Sequence, residues 1–208
     1  MTIIVWGIIA CSSSKEVLGS TSSIQEPVRW QQEYDGKPNI LVDKSEQKIY
    51  LIRQGKMVLR EGKPISWTIS LGQEPKGHKL QEGDQRTPEG LYRYTDYSSS
   101  SRYHGSLLIH YPNTIDAEKA WNEGRIKKSI YSDITRNIKK GLSPPMQTDL
   151  GGYILVHGTH KKGERFPDNV RYSYTDGCVG MSNNTIDELR ELLVEDKAEQ
   201  DGKILIIP

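Results

Sequence analysis

Short apolar runs, several of which alternate with polar residues, recur along the chain from residue 39 onwards. Such runs predict β-strands, because successive side chains of a strand point to opposite faces of a sheet. The predicted strands cover residues 39–43, 48–53, 56–60, 65–71, 91–94, 106–110, 153–157 and 203–207. Gln54-Gly55 predicts a tight turn after the second strand, and Thr87-Pro88-Glu89-Gly90 predicts a turn before the fifth.

Two segments carry the pattern of helices. Residues 116–121 predict a short helix, and Thr185-Ile186-Asp187-Glu188 matches a capping box. Leu189, Leu192 and Leu193 follow that box on one helical face. The sequence therefore predicts a mainly β (β-rich α+β) domain, either a β-sandwich or a curved sheet, with one or two peripheral helices.

The first 37 residues differ from the rest of the chain. Residues 3–10 are apolar and lead to Cys11, and Ile8-Ile9-Ala10-Cys11 resembles the bacterial lipobox, in which the cysteine is lipidated. No Lys or Arg precedes the apolar run, and a buried N-terminal strand is the alternative interpretation. Residues 12–37 are polar and Ser-rich, which predicts a flexible tether. We expect a lipoprotein-type signal over 1–11, a tether over 12–37 and one folded domain over 38–208.

Charge and composition exclude some classes of partner. The chain has 28 Lys and Arg against 27 Asp and Glu, a formal net charge of +1. No strong field would gather nucleic acid or an anionic membrane, so neither partner is expected except through a lipid anchor. Basic residues between 124 and 141 are interpreted as a solvated face, with contact to acidic peptides as the alternative.

Two segments combine a histidine and a cysteine with glycine neighbours. His157-Gly158 ends a predicted strand, and Gly177-Cys178 begins another apolar segment 21 residues after the histidine. A thiol is mostly protonated at neutral pH, so a nucleophilic cysteine needs a neighbouring base such as His157. Gly177 would let backbone N–H groups approach a substrate carbonyl as an oxyanion hole. A buried structural thiol and an ordinary strand-end histidine are the alternatives.

Other cysteine and histidine sites fit less well. Papain-like proteases place Cys before His, and caspases place His about 50 residues ahead of Cys in a different context. A zinc site built from His157, His160 and Cys178 lacks an obvious fourth ligand, and His-x-x-His does not suit one face of a strand. We expect neither a metal nor a cofactor.

The two segments resemble the signature of the L,D-transpeptidase (YkuD-type) catalytic domain. The resemblance implies Cys178 as nucleophile, His157 as its base and Gly177 as the turn residue. In that family the residue before the glycine is usually His, whose carbonyl orients the catalytic imidazole, and Asp176 takes this place here. The carboxylate of Asp176 would raise the pKa of a nearby thiol.

Further motifs resemble the murein transpeptidase-related branch with Thr-Asp-Gly-Cys. They lie at Leu71-Gly72, Gly83-Asp84, Thr87-Pro88-Glu89-Gly90, 101–107 and 111–113. By the same resemblance the residues expected to bind substrate are Tyr103, His104, Gly158, Thr159 and Gly180. Gly180 departs from the family, which has Arg there, and only Arg could bind a substrate carboxylate with two parallel hydrogen bonds.

The resemblance implies a monomeric enzyme of the periplasm or cell envelope that acts on peptidoglycan peptide stems. Cys178 would form a thioester with a stem and pass it to an amine, as in transpeptidation, or to water, as in endopeptidase or amidase cleavage. Gly180 favours water, with release of a stem residue or a stem-linked protein. The alternative is that Gly180 only satisfies a tight turn and that another cation, Arg171, supplies the charge. A catalytically inert peptidoglycan-binding domain is the alternative.

Overall fold

A strongly curved β-sheet forms most of the structure, a computed structural model that describes residues 38–159, 174–195 and 202–208. The predicted signal over 1–11 and tether over 12–37 lie outside these residues. The strands are β1 (Ile40–Asp43), β2 (Lys48–Arg53), β3 (Lys56–Met57), β4 (Leu59–Arg60), β5 (Lys63–Pro64), β6 (Ser66–Thr68), β7 (Gly90–Asp96), β8 (Leu107–Ile109), β9 (Leu155–His157), β10 (Val179–Gly180) and β11 (Gly202–Ile207).

Nine of these strands form one sheet in the order β10-β9-β8-β7-β11-β1-β2-β3, with β6 also paired to β2. Most neighbours are antiparallel, but β11 pairs with β1 and β10 pairs with β9 in parallel. The strands β4 and β5 form a separate ribbon. The predicted strand over 56–60 is therefore divided between two sheets, and the predicted strand over 65–71 is shortened to β6.

The two ends of the curved sheet meet. Beyond β6 the chain reaches Ser70, which exchanges two backbone hydrogen bonds of 2.9 Å with Gly180 of β10. Gly72 forms a further bridge with Thr175. Because of this closure, the segment that carries Cys178 lies between β9 and the chain that follows β6.

Apolar side chains fill both faces of the central strands. Ile40 and Val42 of β1 belong to the main core, whereas Leu41 between them packs in a smaller cluster on the opposite face. This division follows from the alternation of side chains along a strand. The mainly β fold class and the curved sheet predicted from the sequence are confirmed.

Three helices occur in the described part of the chain: α1 (Thr114–Asn122), α2 (Lys128–Lys139) and α3 (Asn183–Glu195). Asn113 and Asp116 form a capping box at the start of α1, which includes the helix predicted over 116–121. Helix α3 begins two residues before the capping box expected at Thr185, and its Leu189 and Leu193 are buried. Within the described ranges, no helix is long and apolar enough to cross a membrane.

Helix α2 was not predicted, because its many charged residues indicated only a solvated face. An apolar stripe was nevertheless present in the sequence: Ile130, Ile134 and Ile138 recur every four residues. Ile134 is fully buried, and the other two pack partly buried against the core. A spacing of four residues places side chains on one face of a helix, so this was the signal that the charged residues obscured.

Candidate active site

The histidine and the cysteine singled out from the sequence lie on neighbouring parallel strands. Val179 of β10 is in register with Val156 of β9, and Gly180 is in register with His157. The N–H of Met181 donates to the carbonyl of His157 at 2.8 Å, which continues the ladder. Cys178 precedes β10 directly, so the thiol lies beside the strand that ends in the imidazole.

His157 is a buried, neutral imidazole. Only 4% of the residue is exposed, and burial lowers its pKa to about 4, although its hydrogen bond to the Gly158 carbonyl acts in the other direction. Its Nδ1 lies 2.6 Å from that carbonyl oxygen. Because a carbonyl oxygen only accepts, Nδ1 carries the proton, and Nε2 is left as the acceptor of the neutral ring. Such a ring can act as a base at neutral pH.

The carbonyl that orients the imidazole belongs to Gly158 and not to Asp176, to which the family resemblance assigned this role. Asp176 is exposed, and its carboxylate accepts a hydrogen bond of 3.3 Å from the side-chain amide of Gln73. Its effect on the site is electrostatic, since its negative charge contributes to raising the pKa of Cys178.

The ring of Tyr103 covers His157. The two rings are stacked with their centroids 3.9 Å apart and their planes inclined by 27°. Tyr103 therefore lies against the candidate base, and its predicted contact with substrate stays a prediction. The side chain of His104 pairs with helix α3 instead: its Nε2 lies 2.7 Å from the carboxylate of Asp187.

The backbone around His104 holds the end of β9. The N–H of His104 donates to the carbonyl of Thr159 at 2.9 Å, and the N–H of Gly158 donates to the carbonyl of His104 at 2.8 Å. The N–H of Thr159 donates to Oδ1 of Asn183. A Cβ at Gly158 would clash with Asn183 and His104, so a glycine is needed for this close approach. Gly158 and Thr159 thus support the base structurally.

The thiol of Cys178 contacts the backbone of β9 and its approach. Sγ accepts a hydrogen bond of 3.4 Å from the N–H of Leu155 and lies 3.7 Å from the carbonyl of Tyr153. Burial raises the pKa of the thiol to about 11; the Leu155 N–H lowers it, Asp176 raises it, and the charge of Lys79 lowers it. The resting thiol is therefore protonated and points to the strand backbone.

Gly177 has two structural reasons to be a glycine. Its φ of 127° is strained for other residues, and a Cβ would lie 2.7 Å from the carbonyl oxygen of Arg86. Its own N–H donates to Oγ1 of Thr175 at 3.2 Å, and that hydroxyl donates to the carbonyl of Cys178 at 2.7 Å. The Gly177 N–H is therefore occupied, whereas the N–H of Cys178 has no acceptor among the described residues.

Gly180 leaves room for a neighbouring tyrosine. The residue is buried in β10, and a Cβ at this position would overlap the hydroxyl of Tyr174. Where the family has an arginine side chain, this chain places the ring of Tyr174 beside the closure with Ser70. The sequence interpretations of Gly180, the loss of a cation or a tight turn, did not include the packing of Tyr174. Arg171, named as the substitute cation, lies outside the described residues.

A family model of the L,D-transpeptidase catalytic domain, YkuD, matches residues 37–203. The chain belongs to the L,D-transpeptidase (YkuD) family. Domains of this family are enzymes of the L,D-transpeptidase type that act on peptidoglycan peptide stems in the cell wall, outside the cytoplasm. No curated protein sequence matches the chain.

The chain is similar to solved structures of low sequence identity. The K307A mutant of Pgp2 from Campylobacter jejuni, described as a helical cell shape determining protein, is 19% identical with a TM-score of 0.50, over 85% of this chain and 52% of that one. An L,D-transpeptidase from Xylanimonas cellulosilytica is 14% identical with a TM-score of 0.40, over 84% of this chain and 63% of that one. This L,D-transpeptidase domain thus spans about half the length of Pgp2.

A cleft of about 350 Å³ opens beside the thiol of this L,D-transpeptidase domain. The residues that line it include Cys178, Asp176, Tyr153, Lys79 and Glu82. Sequence reasoning did not select Lys79 or Glu82, although both are close to Gly83-Asp84, which carried part of the family resemblance. Within the described ranges, no group of three His, Cys, Asp or Glu side chains could hold a metal, and His160 lies outside those ranges.

Proposed function

We propose that this L,D-transpeptidase domain uses Cys178 to cleave a peptidoglycan peptide stem, with His157 as the base and water as the final acceptor. The observation that carries the proposal is the parallel pairing of β9 with β10, which sets the Gly-Cys turn beside the histidine strand. The cleft lined by Cys178 provides the space for a peptide.

The proposed reaction begins with transfer of the thiol proton to Nε2 of His157 as sulfur attacks the stem carbonyl. A C–S bond forms, and the developing oxyanion accepts a hydrogen bond from the N–H of Cys178. The imidazolium then protonates the leaving amine as the C–N bond breaks, which leaves a thioester. Water then attacks the thioester carbonyl and gives a proton to Nε2 of His157 as a C–O bond forms. The C–S bond breaks, the imidazolium returns the proton to sulfur, and the stem leaves with a new carboxylate.

The free protein holds thiol and imidazole in their neutral forms. The thiol pKa is about 11 and the imidazole pKa is about 4, so an ion pair of thiolate and imidazolium is unfavourable before substrate binds. Sγ must also turn away from Leu155 and Tyr153 to reach the imidazole. We therefore propose that proton transfer accompanies attack, as in general base catalysis, and that bound substrate drives the rotation.

We propose water, and not an amine, as the acceptor because position 180 is a glycine. An arginine there could hold a carboxylate of the acyl group or of an incoming amine by two charge-assisted hydrogen bonds, each stronger than a neutral one. Gly180 and the Tyr174 ring offer no such cation. An amine acceptor is thus held less firmly, and water competes better for the thioester.

Mass spectrometry of purified muropeptides, incubated with the protein and an excess of free amine acceptor, tests this function. Hydrolysis predicts trimmed stems or a released stem-linked protein, and Cys178→Ala should abolish the change while the melting temperature stays nearly the same. Efficient formation of new cross-links, with little free product, would contradict the choice of water.

The neutral pair of thiol and imidazole also supports a second candidate, an inert peptidoglycan-binding domain. Such a domain would bind muropeptides in the cleft and leave their masses unchanged under every condition. Binding with equal affinity to the native protein and to Cys178→Ala, without turnover by either, would favour this candidate.

A further inference from the structure

Among the residues that the structure describes, two lysines are buried, and they differ in how many of their N–H donors have an acceptor. Lys44 is 5% exposed and Lys79 is 2% exposed. A buried ammonium has three N–H donors, and each donor left without an acceptor costs free energy. If all three donors have acceptors within the protein, a structural role is enough to explain the buried lysine. A donor without an acceptor is available to bind a ligand.

Lys44 uses all three donors within the protein. Its Nζ donates to the carbonyl of Gly77 at 2.7 Å, to the carbonyl of Thr87 at 3.1 Å and to the carboxylate of Glu89 at 2.7 Å. This lysine ties β1 to the segment before β7 and does not line the Cys178 cleft. Its contacts account for its burial completely.

Lys79 uses only two donors among the described residues. Its Nζ donates to the carbonyl of Gln81 at 2.9 Å and to Oδ1 of Asp84 at 2.8 Å. Asp84 is fixed in turn by backbone N–H groups of Leu80, Gln81 and Arg86. Burial alone would raise the pKa of Asp84, but Lys79 and these N–H groups lower it overall, so its carboxylate stays charged.

The remaining donor of Lys79 belongs to a residue that lines the same cleft as Cys178. The other ionised groups of the cleft wall are Glu82 and Asp176, both exposed at its rim. Charges at the rim are screened by solvent, whereas a hydrogen bond to a buried ammonium is screened much less. The two rim carboxylates would repel a ligand with many negative charges. The cleft therefore suits a peptide that carries a single carboxylate at this point and is also bound by the protein backbone.

We propose that Lys79 binds a free carboxylate of the stem peptide through the donor for which the described residues provide no acceptor. This inference depends on the proposed function and specifies its substrate: a stem with a free carboxylate that reaches the floor of the Cys178 cleft. Asp84 is a positioning residue, because it directs the ammonium without touching the peptide.

The test compares a stem tetrapeptide that ends in a free carboxylate with the same peptide ending in a carboxamide. Calorimetry on Cys178→Ala, which cannot cleave either peptide, should give a dissociation constant at least about tenfold higher for the carboxamide, the effect of one charge-assisted hydrogen bond. In Cys178→Ala with Lys79→Met, the two peptides should bind with similar affinity. In Cys178→Ala with Lys44→Met, the matched buried lysine outside the cleft, the preference should remain.

Loss of Lys79 leaves Asp84 as an uncompensated buried charge, so the single variant could unfold. The paired variant Lys79→Met with Asp84→Asn removes both charges and should fold, as melting curves would show, again without preference for the carboxylate. An equal affinity of the parent Cys178→Ala protein for both peptides would overturn the inference, as would a preference that survives in the folded paired variant.

If Lys79 instead only stabilised the thiolate of Cys178, the binding and turnover of the two peptides would change differently. The Lys79→Met change would then slow turnover of both peptides equally and leave their affinity ratio unchanged, which also contradicts carboxylate binding. If the native protein cleaves both peptides at similar rates, only this inference fails. If it cleaves neither peptide and no muropeptide, the proposed function fails.

Discussion

At the scale of single residues, burial governs the chemistry of Cys178 and His157. Both side chains are hydrogen-bonded to backbone groups at the end of β9 or its approach. Removal from water disfavours the charged form of each group, which raises the pKa of a thiol and lowers that of an imidazole. Both groups are therefore neutral over a wide range of pH, and proton transfer from thiol to imidazole is unfavourable until substrate binds.

The free thiol should react slowly with electrophiles. With its pKa raised to about 11, Cys178 should be alkylated by iodoacetamide at pH 7 well below the rate of a model thiol, because only the thiolate is nucleophilic. The rate should rise with pH beyond pH 9. Intact-protein mass spectrometry measures it, and rapid labelling at pH 7 would show that the resting thiol is already ionised.

Replacement of His157 by glutamine should remove the base and keep the strand end packed. We expect His157→Gln to lower kcat/KM by on the order of 100-fold or more, the usual contribution of a general base. The measurement is muropeptide turnover between pH 5 and 9, with circular dichroism as the control for folding. A nearly normal rate would reject His157 as the base.

The same variant should also change how stability depends on pH. The folded pKa of His157, about 4, lies below the unfolded value of about 6.5. As the pH falls, this histidine is protonated in the unfolded chain before it is protonated in the folded one. Its contribution to the free energy of unfolding is therefore complete above pH 6.5 and is lost as the pH falls towards 4. Chemical denaturation should show a smaller loss over this window in His157→Gln, and equal losses in the two proteins would contradict the buried neutral state.

At the scale of secondary-structure elements, the closure between Ser70 and Gly180 fixes the position of the Gly-Cys turn. The chain after β6 and strand β10 have no long ladder in common, so the two hydrogen bonds of this bridge define the contact. Tyr174 packs where a side chain at position 180 would begin. Position 180 is thus constrained by packing.

Gly180→Ala should destabilise the domain by roughly 1 to 3 kcal/mol, the usual cost of overpacking a buried site. The physical reason is the overlap of the new Cβ with the Tyr174 hydroxyl. The free energy of unfolding in urea measures the effect. Addition of Tyr174→Ala should recover part of the loss relative to Tyr174→Ala alone, and fully additive effects would show that the two residues do not collide.

At the scale of the whole molecule, β1 is central to the sheet although it begins at residue 40, between β2 and β11. The parallel pairing of Ile40 with Ile204 joins the start of the domain to its end. Nearly the whole span from 38 to 208 is therefore needed for one fold.

The segment before the sheet is predicted to add an anchor and a tether, not stability. A variant without residues 1–37 should melt within about 2 °C of the full chain and keep its muropeptide activity, because a polar tether buries little surface. Differential scanning calorimetry makes this comparison. For Cys11, an unmodified intact N-terminus on protein from the native membrane fraction would reject lipidation.

The sequence by itself determined the fold class, most strands and the two residues proposed for catalysis. These follow from local patterns: alternation along strands such as 65–71, and a histidine and a cysteine with glycine neighbours. It did not reveal α2, because charged residues obscured its isoleucine stripe. Nor did it give the start of α3, where the hydroxyl of Ser182 accepts a hydrogen bond from the N–H of Thr185, so that Thr185 lies inside the helix and not before it.

Only the tertiary structure decided which groups surround the candidate nucleophile. Lys79 is 99 residues from Cys178 in sequence, and Tyr103 is 54 residues from His157. Both reach the site because the curved sheet brings its ends together and a loop crosses the end of β9. The orienting carbonyl of Gly158, the occupied N–H of Gly177 and the shifted pKa values depend on burial and hydrogen-bond geometry. Those quantities arise from packing between distant segments, which no local pattern encodes.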